Sequence, residues 1–500
     1  MALRQGNREQ MQFLPPSIEQ YIAEDAPVRV YDIFVEALDF DELGIKIDAA
    51  REGNPCYDPR SMLKLLLYGY SYGIRSSRKL EREVYYNLSF IWLMGGLKPD
   101  HKTIAEFRRR NKAALHQAMV QCTRMCFKLD LIAGNILFTD GTKIRGNAAL
   151  KNTWNPEKAK RVLAKAEQRI EEILRAAEAL DAEEEGEPSL VSVPTQLLEP
   201  NRTRDKVERI MNELRESGKA SLNTTDKECA SFNGIHGAGA GYIAEVVVDD
   251  KHGLIASADA VSAGNDLGQL AGQIEQAREV LGRAPDVAVA DAGFSDLADI
   301  KRLDEQGIKV IVPNPQIAND KKIGEFDKRN FIYLTESDRY ICPEGHELKF
   351  VQVLNRSKGR LYTIEHKSTC LNCSHYGKCT NSKSGRKLER SAEEELKIKL
   401  EVAYALPENK LIYKRRQAKN ELVFGHFKKN LGMNSFLLRG SAGARAETSI
   451  LAICFNIRRM ITLLGQAKLA RKLKGEPLPS RPFSLLGQYS VHSILIAQLT

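Results

Sequence analysis

The sequence predicts an α/β fold preceded by a helical region, on three observations. Residues 1–130 carry helical periodicity punctuated by tight turns. Between 136 and 313, short apolar strands alternate with helices, the pattern of a sheet with helices packed on it. Residues 325–390 change character again, into short β-like segments that hold four of the nine cysteines.

In the helical region, Asp58 and Pro59 stand just before the apolar run 62–70. Asp58 is placed to cap a helix there and Pro59 to occupy its first position. A second helix is predicted through 79–85. A third is predicted from near Asp100 through Met125, with Thr103 and Glu106 spaced as a capping box and a basic run Arg108-Arg109-Arg110. Short helices joined by tight turns suit a DNA-docking unit, and equally a plain helical bundle.

The segment 136–142 breaks this pattern as a short apolar strand ending in Asp140. Residues 150–220 read as a helical, partly loose insertion, interrupted by the acidic patch 181–187 and by Pro188, Pro194 and Pro200. The glycines of 233–241 predict a flexible connection. Strands 241–249 and 254–258 flank a turn at 250–253 and make a hairpin. A helix follows over 265–281, then a buried-type strand over 286–293 that carries Asp291. A helix at 296–306 and a strand at 308–313 complete the pattern. From about 392 the chain is helical again, with an amphipathic core helix at 446–464. The predicted division is a helical domain 1–130, a sheet domain 131–465 with insertions at 150–220 and 325–390, and a basic tail 466–500.

Composition narrows the function. A chain of 500 residues, 43% hydrophobic and 28% charged, is ordinary for a globular protein and excludes collagenous, disulfide-scaffold and mostly disordered classes. No apolar run reaches about 18 residues and the first residues form no apolar leader, so neither a membrane span nor a signal peptide is expected. Nine cysteines without a leader predict a reducing cytosol, hence a cytoplasmic protein. The 74 basic residues exceed the 65 acidic ones by nine, and the excess is local. Between Lys410 and Lys474 fifteen Lys and Arg face two acids, Glu421 and Glu447, the footprint of a phosphate-binding surface.

Two constellations could carry chemistry. Asp140 and Asp291 each follow an apolar strand and precede a glycine-containing turn, where open α/β sheets place their sites. Glu421 lies on a predicted helix that could pack beside them. Three clustered carboxylates would repel one another unless divalent cations neutralise them, and Mg²⁺ takes carboxylates, waters and substrate phosphate oxygens together. Two such ions ~3.5–4 Å apart suit an in-line phosphoryl displacement. The second constellation is Cys342, Cys370, Cys373 and Cys379. The C-x2-C spacing of Cys370 and Cys373 lets two thiolates grip one Zn²⁺, with Cys342 and Cys379, or His346 or His375, completing a closed structural site. The remaining cysteines, Cys56, Cys122, Cys126, Cys229 and Cys454, read as buried or semi-buried packing residues.

Phe138-Thr139-Asp140-Gly141-Thr142-Lys143, Val289-Ala290-Asp291-Ala292-Gly293-Phe294 and Tyr413, Arg416, Glu421 and Lys428 together resemble the DDE-type insertion-sequence transposases of bacteria. Their last signature is Tyr-x2-Arg-x3-Glu-x6-Lys. Here four residues rather than three separate Arg416 from Glu421, so Arg415 is an alternative to Arg416. The helical region at 55–130 also resembles the domain that precedes the catalytic core in one branch of these transposases.

The resemblance implies an RNase H-like catalytic domain, with Asp140, Asp291 and Glu421 as ligands of two Mg²⁺ or Mn²⁺ ions. Tyr413, Arg416 and Lys428 would hold the DNA backbone. The implied reaction is cleavage of element ends in double-stranded DNA and transfer of the freed 3′-hydroxyl into target DNA. A dimer on DNA is implied, since both ends join in one complex. A nuclease of the same fold without strand transfer and a non-catalytic DNA-binding protein are the rival readings.

Overall fold

The computed structural model describes residues 17–46, 56–183, 193–234, 237–313, 324–355 and 358–475. The N-terminal region is helical: α1 (Pro27–Glu36), α2 (Pro59–Ser71), α3 (Ser77–Tyr86), α4 (Leu88–Leu93), α5 (His101–Arg110) and α6 (Lys112–Lys128). Asp58 caps α2 by accepting the Arg60 N–H at 2.8 Å, and Pro59 opens the helix as the sequence predicts. The predicted third helix starts one cap earlier than its capping box implies. Asp100 is the cap, accepting the Thr103 N–H, while Glu106 pairs with Arg109 and Arg110. That helix is also two helices. Asn111 leaves helical geometry at φ −101° and ψ 31° and donates its side-chain amide to the Phe107 carbonyl.

The main sheet is built from β1 (Ile136–Arg145), β4 (Ala230–Gly234), β5 (Gly237–Asp249), β6 (Ile255–Val261), β7 (Val287–Val289) and β8 (Lys309–Ile311). The order is β6-β5-β1-β7-β8, with β4 sharing the β6 side of β5 at its other end. β6, β5 and β1 are antiparallel, whereas β1, β7 and β8 run parallel. Crossover helices α9 (Leu270–Leu281) and α10 (Leu297–Glu305) make the parallel pairing possible.

Between β1 and β4 lies the predicted insertion. A small pair, β2 (Thr153–Trp154) and β3 (Leu222–Asn223), closes the base of two long helices, α7 (Pro156–Glu183) and α8 (Val193–Ser217). They bury a separate small cluster around Trp154, Ala159, Val207 and Ile210. The glycines of 233–241 are not the predicted flexible connection in the described part. Those from Gly237 to Gly241 form the start of β5, where β5 pairs with both β4 and β1. A Cβ on Gly241 would fall 2.1 Å from the Ile144 carbonyl oxygen, so a bare backbone is needed there.

The cysteine-rich segment folds as an antiparallel meander of β9 (Ile332–Leu334), β10 (Arg339–Ile341), β11 (Glu347–Val353), β12 (Arg360–Ile364) and β13 (Lys387–Arg390), with helix α11 (Lys367–Leu371). Helices α12 (Glu394–Ala405) and α13 (Pro407–Gly425) return the chain to the main sheet, and a π turn (His426–Asn430) ends α13. Helix α14 (Ser441–Leu464) runs through the middle of the molecule and α15 (Gln466–Leu473) follows it.

One hydrophobic cluster joins the N-terminal helices, the main sheet and α14. Two polar devices fix α14 within it. Asn456 both donates to the Ile255 carbonyl and accepts its N–H, at 2.9 and 2.8 Å. Glu447, fully buried, pairs with Arg75 at 2.5 Å and accepts the Leu437 and Leu438 N–H groups. Arg75 also donates to the Gly432 and Ser435 carbonyls. The first part of the predicted tail is helix α15, whose Leu469 is buried in this same cluster. Residues 476–500 lie outside the described residues. Among the described residues no single helix is long and apolar enough to cross a membrane.

Candidate active site

The two aspartates are brought together by the strand register. Phe138 pairs with Val289 across the parallel β1–β7 edge, and Asp140 and Asp291 each lie two residues further on. Asp140 does not end its strand, as the sequence suggests. β1 continues to Arg145 because β5 pairs with it along nearly its whole length; only the β7 edge stops at Val289. Asp140 therefore stands mid-strand beside a gap, and Asp291, just past β7, caps the following turn by accepting the Gly293 N–H at 2.8 Å.

Burial pushes the Asp140 carboxyl up to about 6, with the charge of Asp291 adding to the effect and Arg416 opposing it. A shift of that size is about 3 kcal/mol against the charged form. One arginine therefore does not offset burial and the neighbouring charge. Arg416 comes from α13, with Nη1 3.3 Å from Asp140 Oδ2, and its Nε and Nη1 are buried without a hydrogen-bond acceptor. Its guanidinium lies 5.2 Å from the centre of the Tyr413 ring. Burial raises the Tyr413 phenol, which also senses the charges of Asp291 and Asp140. Thus Arg416, not Arg415, reaches the aspartates. Arg415 is committed elsewhere, 2.8 Å from Asp250.

Further along the same helix, Glu421 is exposed and accepts the Gln417 side-chain amide at 2.9 Å. The structure pairs it with neither aspartate. One face onward, in the π turn, Lys428 donates to Thr142 Oγ1 at 2.7 Å, two residues from Asp140 along β1. Tyr413, Arg416 and Lys428 are therefore arrayed along one side of β1, and Glu421 stands on the stretch between Arg416 and Lys428.

Two acids that the sequence reading missed stand close by. Asp266, in the loop after β6, is raised by burial and then by the charge of Asp291. Glu245 lies opposite Gly141 on β5 and is fully buried, with neither oxygen in hydrogen-bond geometry. Burial pushes it up to about 9, with Asp266 the next cause. Neither carries a sequence signal. Glu245 sits inside an apolar strand and Asp266 at the start of the helix predicted over 265–281.

The donor set is oxygen-only, crowded and short of positive charge, which fits a hard divalent cation of the Mg²⁺ class. Among the described residues, no three His, Cys, Asp or Glu side chains already stand together in a metal-holding arrangement. That holds for the cysteines too. Cys342, Cys370, Cys373 and Cys379 line one small cavity of about 30 Å³, shared with His346 and His375. The His346 N–H approaches Cys342 Sγ at 3.3 Å and the Arg386 N–H approaches Cys370 Sγ at 3.5 Å. His375 is 2.9 Å from Glu344. Of the other cysteines, Cys122, Cys126, Cys229 and Cys454 are buried as predicted, whereas Cys56 is exposed just ahead of α2.

Comparison with known families gives two matches. Residues 16–110 match the Transposase domain (DUF772), covering the helical region through α5. Residues 341–461 match the Transposase DDE domain, from the first of the four cysteines to α14. The second match contains Tyr413, Arg416, Glu421 and Lys428 but neither Asp140 nor Asp291. No curated protein sequence matches the chain.

Proposed function

We propose that the chain, which matches a transposase domain at 16–110 and a transposase DDE domain at 341–461, is a DDE-type insertion-sequence transposase with Asp140, Asp291 and Glu421 as its catalytic centre. The observation that carries this reading is the convergence of Asp140 and Asp291 beneath the helix that bears Arg416 and Glu421. The strand order, three antiparallel strands continued by two parallel ones, supports an RNase H-like core. Transposases act on DNA. The substrate proposed here is the double-stranded ends of the element, followed by target DNA.

Asp140, Asp291 and Glu421 would hold two Mg²⁺ or Mn²⁺ ions. When bound, such ions polarise the scissile phosphate and stabilise the attacking and leaving oxygens. Glu421 is exposed, accepts the Gln417 amide, and lies on the same helix as Arg416, which reaches Asp140. Arg416 stands where a phosphate oxygen beside Asp140 would need a positive partner, and Lys428 lies at the next position along β1. Their donors orient the backbone of the DNA and offset charge that develops at the reacting phosphate. Tyr413 supports the Arg416 guanidinium with its ring. Water would hydrolyse the phosphodiester at the element end, leaving a 3′-hydroxyl and a 5′-phosphate, and that hydroxyl would then attack a target phosphodiester and displace a target 3′-hydroxyl. Joining two ends requires two active sites in one complex, so the working form on DNA is a dimer.

The test is an excision and integration assay in cells with the gene's own flanking DNA as ends. Native protein should give new insertions and Asp140→Ala none. Glu421→Gln should abolish cutting while leaving end binding nearly intact. Cut DNA without insertions would identify a nuclease instead.

The four cysteines form a structural Zn²⁺ site in this reading. Their thiolates would clamp a five-stranded insertion whose own core is small: Phe331, Tyr340, Leu348, Tyr362, Ile364 and Leu388. Purified protein should contain about one zinc per chain. Cys370→Ser should lose it, together with the protease resistance of 325–390. Metal-free protein with an intact insertion would sink the idea.

A further inference from the structure

Asp266 has no role in the reading above, yet its surroundings give it one. Its Oδ1 is shielded from solvent without a hydrogen-bond partner. It does not cap the helix that follows, whose N-cap residue is Gln269. Two glycines keep space around it. A Cβ on Gly141 would fall 2.6 Å from Asp266 Oδ1, and a Cβ on Gly293 would fall 2.9 Å from Asp291 Oδ1 and 3.5 Å from Asp266 Oδ2. One oxygen from each aspartate thus faces the same small space beside Gly293.

Glu245 lies under that space. It is fully buried with both oxygens unpaired, and its Cγ is 3.5 Å from where a Gly141 Cβ would be. Lys143 acts on Asp266 as an opposing charge, but Arg416 is directed to Asp140. Buried carboxylate oxygens without donors carry a desolvation cost that a cation relieves. The glycines leave room for an ion where any larger residue would fill it.

We propose that Asp266 is a fourth carboxylate of the metal centre, sharing a divalent cation of the Mg²⁺ class with Asp291. This rests on the reading of Asp140, Asp291 and Glu421 as metal ligands. Asp266 adds negative charge beside Asp291 and against Gly141, the residue that follows Asp140 on β1. Gly141 and Gly293 are then cavity-keeping positions: they have no side chain because the carboxylates and their ion take that volume.

The test is Mn²⁺ binding by the full chain without DNA, followed by the electron paramagnetic resonance signal of the free ion. Native protein, Asp140→Asn, Asp291→Asn, Asp266→Asn and Gly293→Ala are compared, with Asp304→Asn as a distant control on α10. Asp266→Asn should weaken Mn²⁺ binding by tenfold or more, or remove one bound ion, as Asp291→Asn does. Gly293→Ala should do the same by filling the space, so the result does not depend on one variant folding. If Asp140→Asn and Asp291→Asn lose Mn²⁺ while Asp266→Asn and Gly293→Ala bind as native, the inference is overturned and the catalytic reading stands. If no variant changes binding, both fall.

Discussion

Glu245 is the clearest case of a side chain whose surroundings decide its state. It lies in the sheet on β5, facing α9, where the Gln273 side chain opposes the effect of burial only in part, so burial raises it from 4.5 to about 9. Between those values the folded protein holds a proton that the unfolded chain releases. Stability contributed by this proton is complete below about 4.5 and is lost as pH rises toward 9. The limiting slope is about 1.4 kcal/mol per pH unit. In chelator-treated protein, native stability should therefore fall between pH 5 and 8 by on the order of 3 kcal/mol more than that of Glu245→Gln. Urea unfolding across that range measures it, and parallel pH profiles would refute it. This residue was invisible in the sequence because a Glu inside Tyr-Ile-Ala-Glu-Val-Val-Val looks like the polar face of a half-buried strand. Asp140, Asp291 and Arg416 were singled out from the sequence because their order and context resemble a family pattern, and the fold brings them near one another. The choice of Arg416 over Arg415 came only from helix packing, since one step along a helix turns a side chain by about 100°.

At the scale of elements, the sequence reads well where the period of apolar residues decides and poorly where a partner decides. The β5–β6 hairpin, β7, α10, β8 and the central α14 all lie where hydrophobic patterning put them. The errors have one kind of cause. β1 was cut short at Asp140 because Gly141 and Thr142 look like a turn, but pairing with β5 holds the strand to Arg145. The glycines that open β5 read as flexible when taken alone, while pairing with β4, and of Gly241 also with β1, makes them strand. The helix predicted from 265 begins at Leu270, and the loop before it is where Asp266 is held. In each case the long-range neighbour overrode the local signal, and two of the three lie beside the candidate site. The four cysteines show the opposite limit. Spacing alone put Cys370 and Cys373 together with Cys342 and Cys379 as their suggested partners, and the fold brings all four to one cavity, Cys342 from just past β10 and Cys379 from the loop after α11.

At the scale of the whole molecule, the helical region and the sheet share one interior. A helical domain 1–130 separate from the sheet would carry its own core, yet α2, α6, the sheet and α14 bury their apolar residues in one cluster. The Arg75–Glu447 pair crosses this junction, with the arginine side chain 8% exposed and the glutamate fully buried. Both ends are further satisfied by backbone groups, which is what a buried pair requires if it is not to cost more than it returns. The two family matches at opposite ends of the chain thus meet across one interior. Removing one partner strands the other charge, a loss of about 3–5 kcal/mol. Arg75→Met should accordingly lower the stability of the N-terminal helices and of β1, β5 and β6 together. Amide exchange read by mass spectrometry resolves the elements: protection in α2 and in β5 should fall by the same free energy. The α7–α8 hairpin and the β9–β13 meander have clusters of their own and should be unaffected. If α2 loses protection while β5 keeps it, the helical region is a separate domain docked on the sheet. The helical region would then be free to move relative to the candidate site, which a shared core forbids.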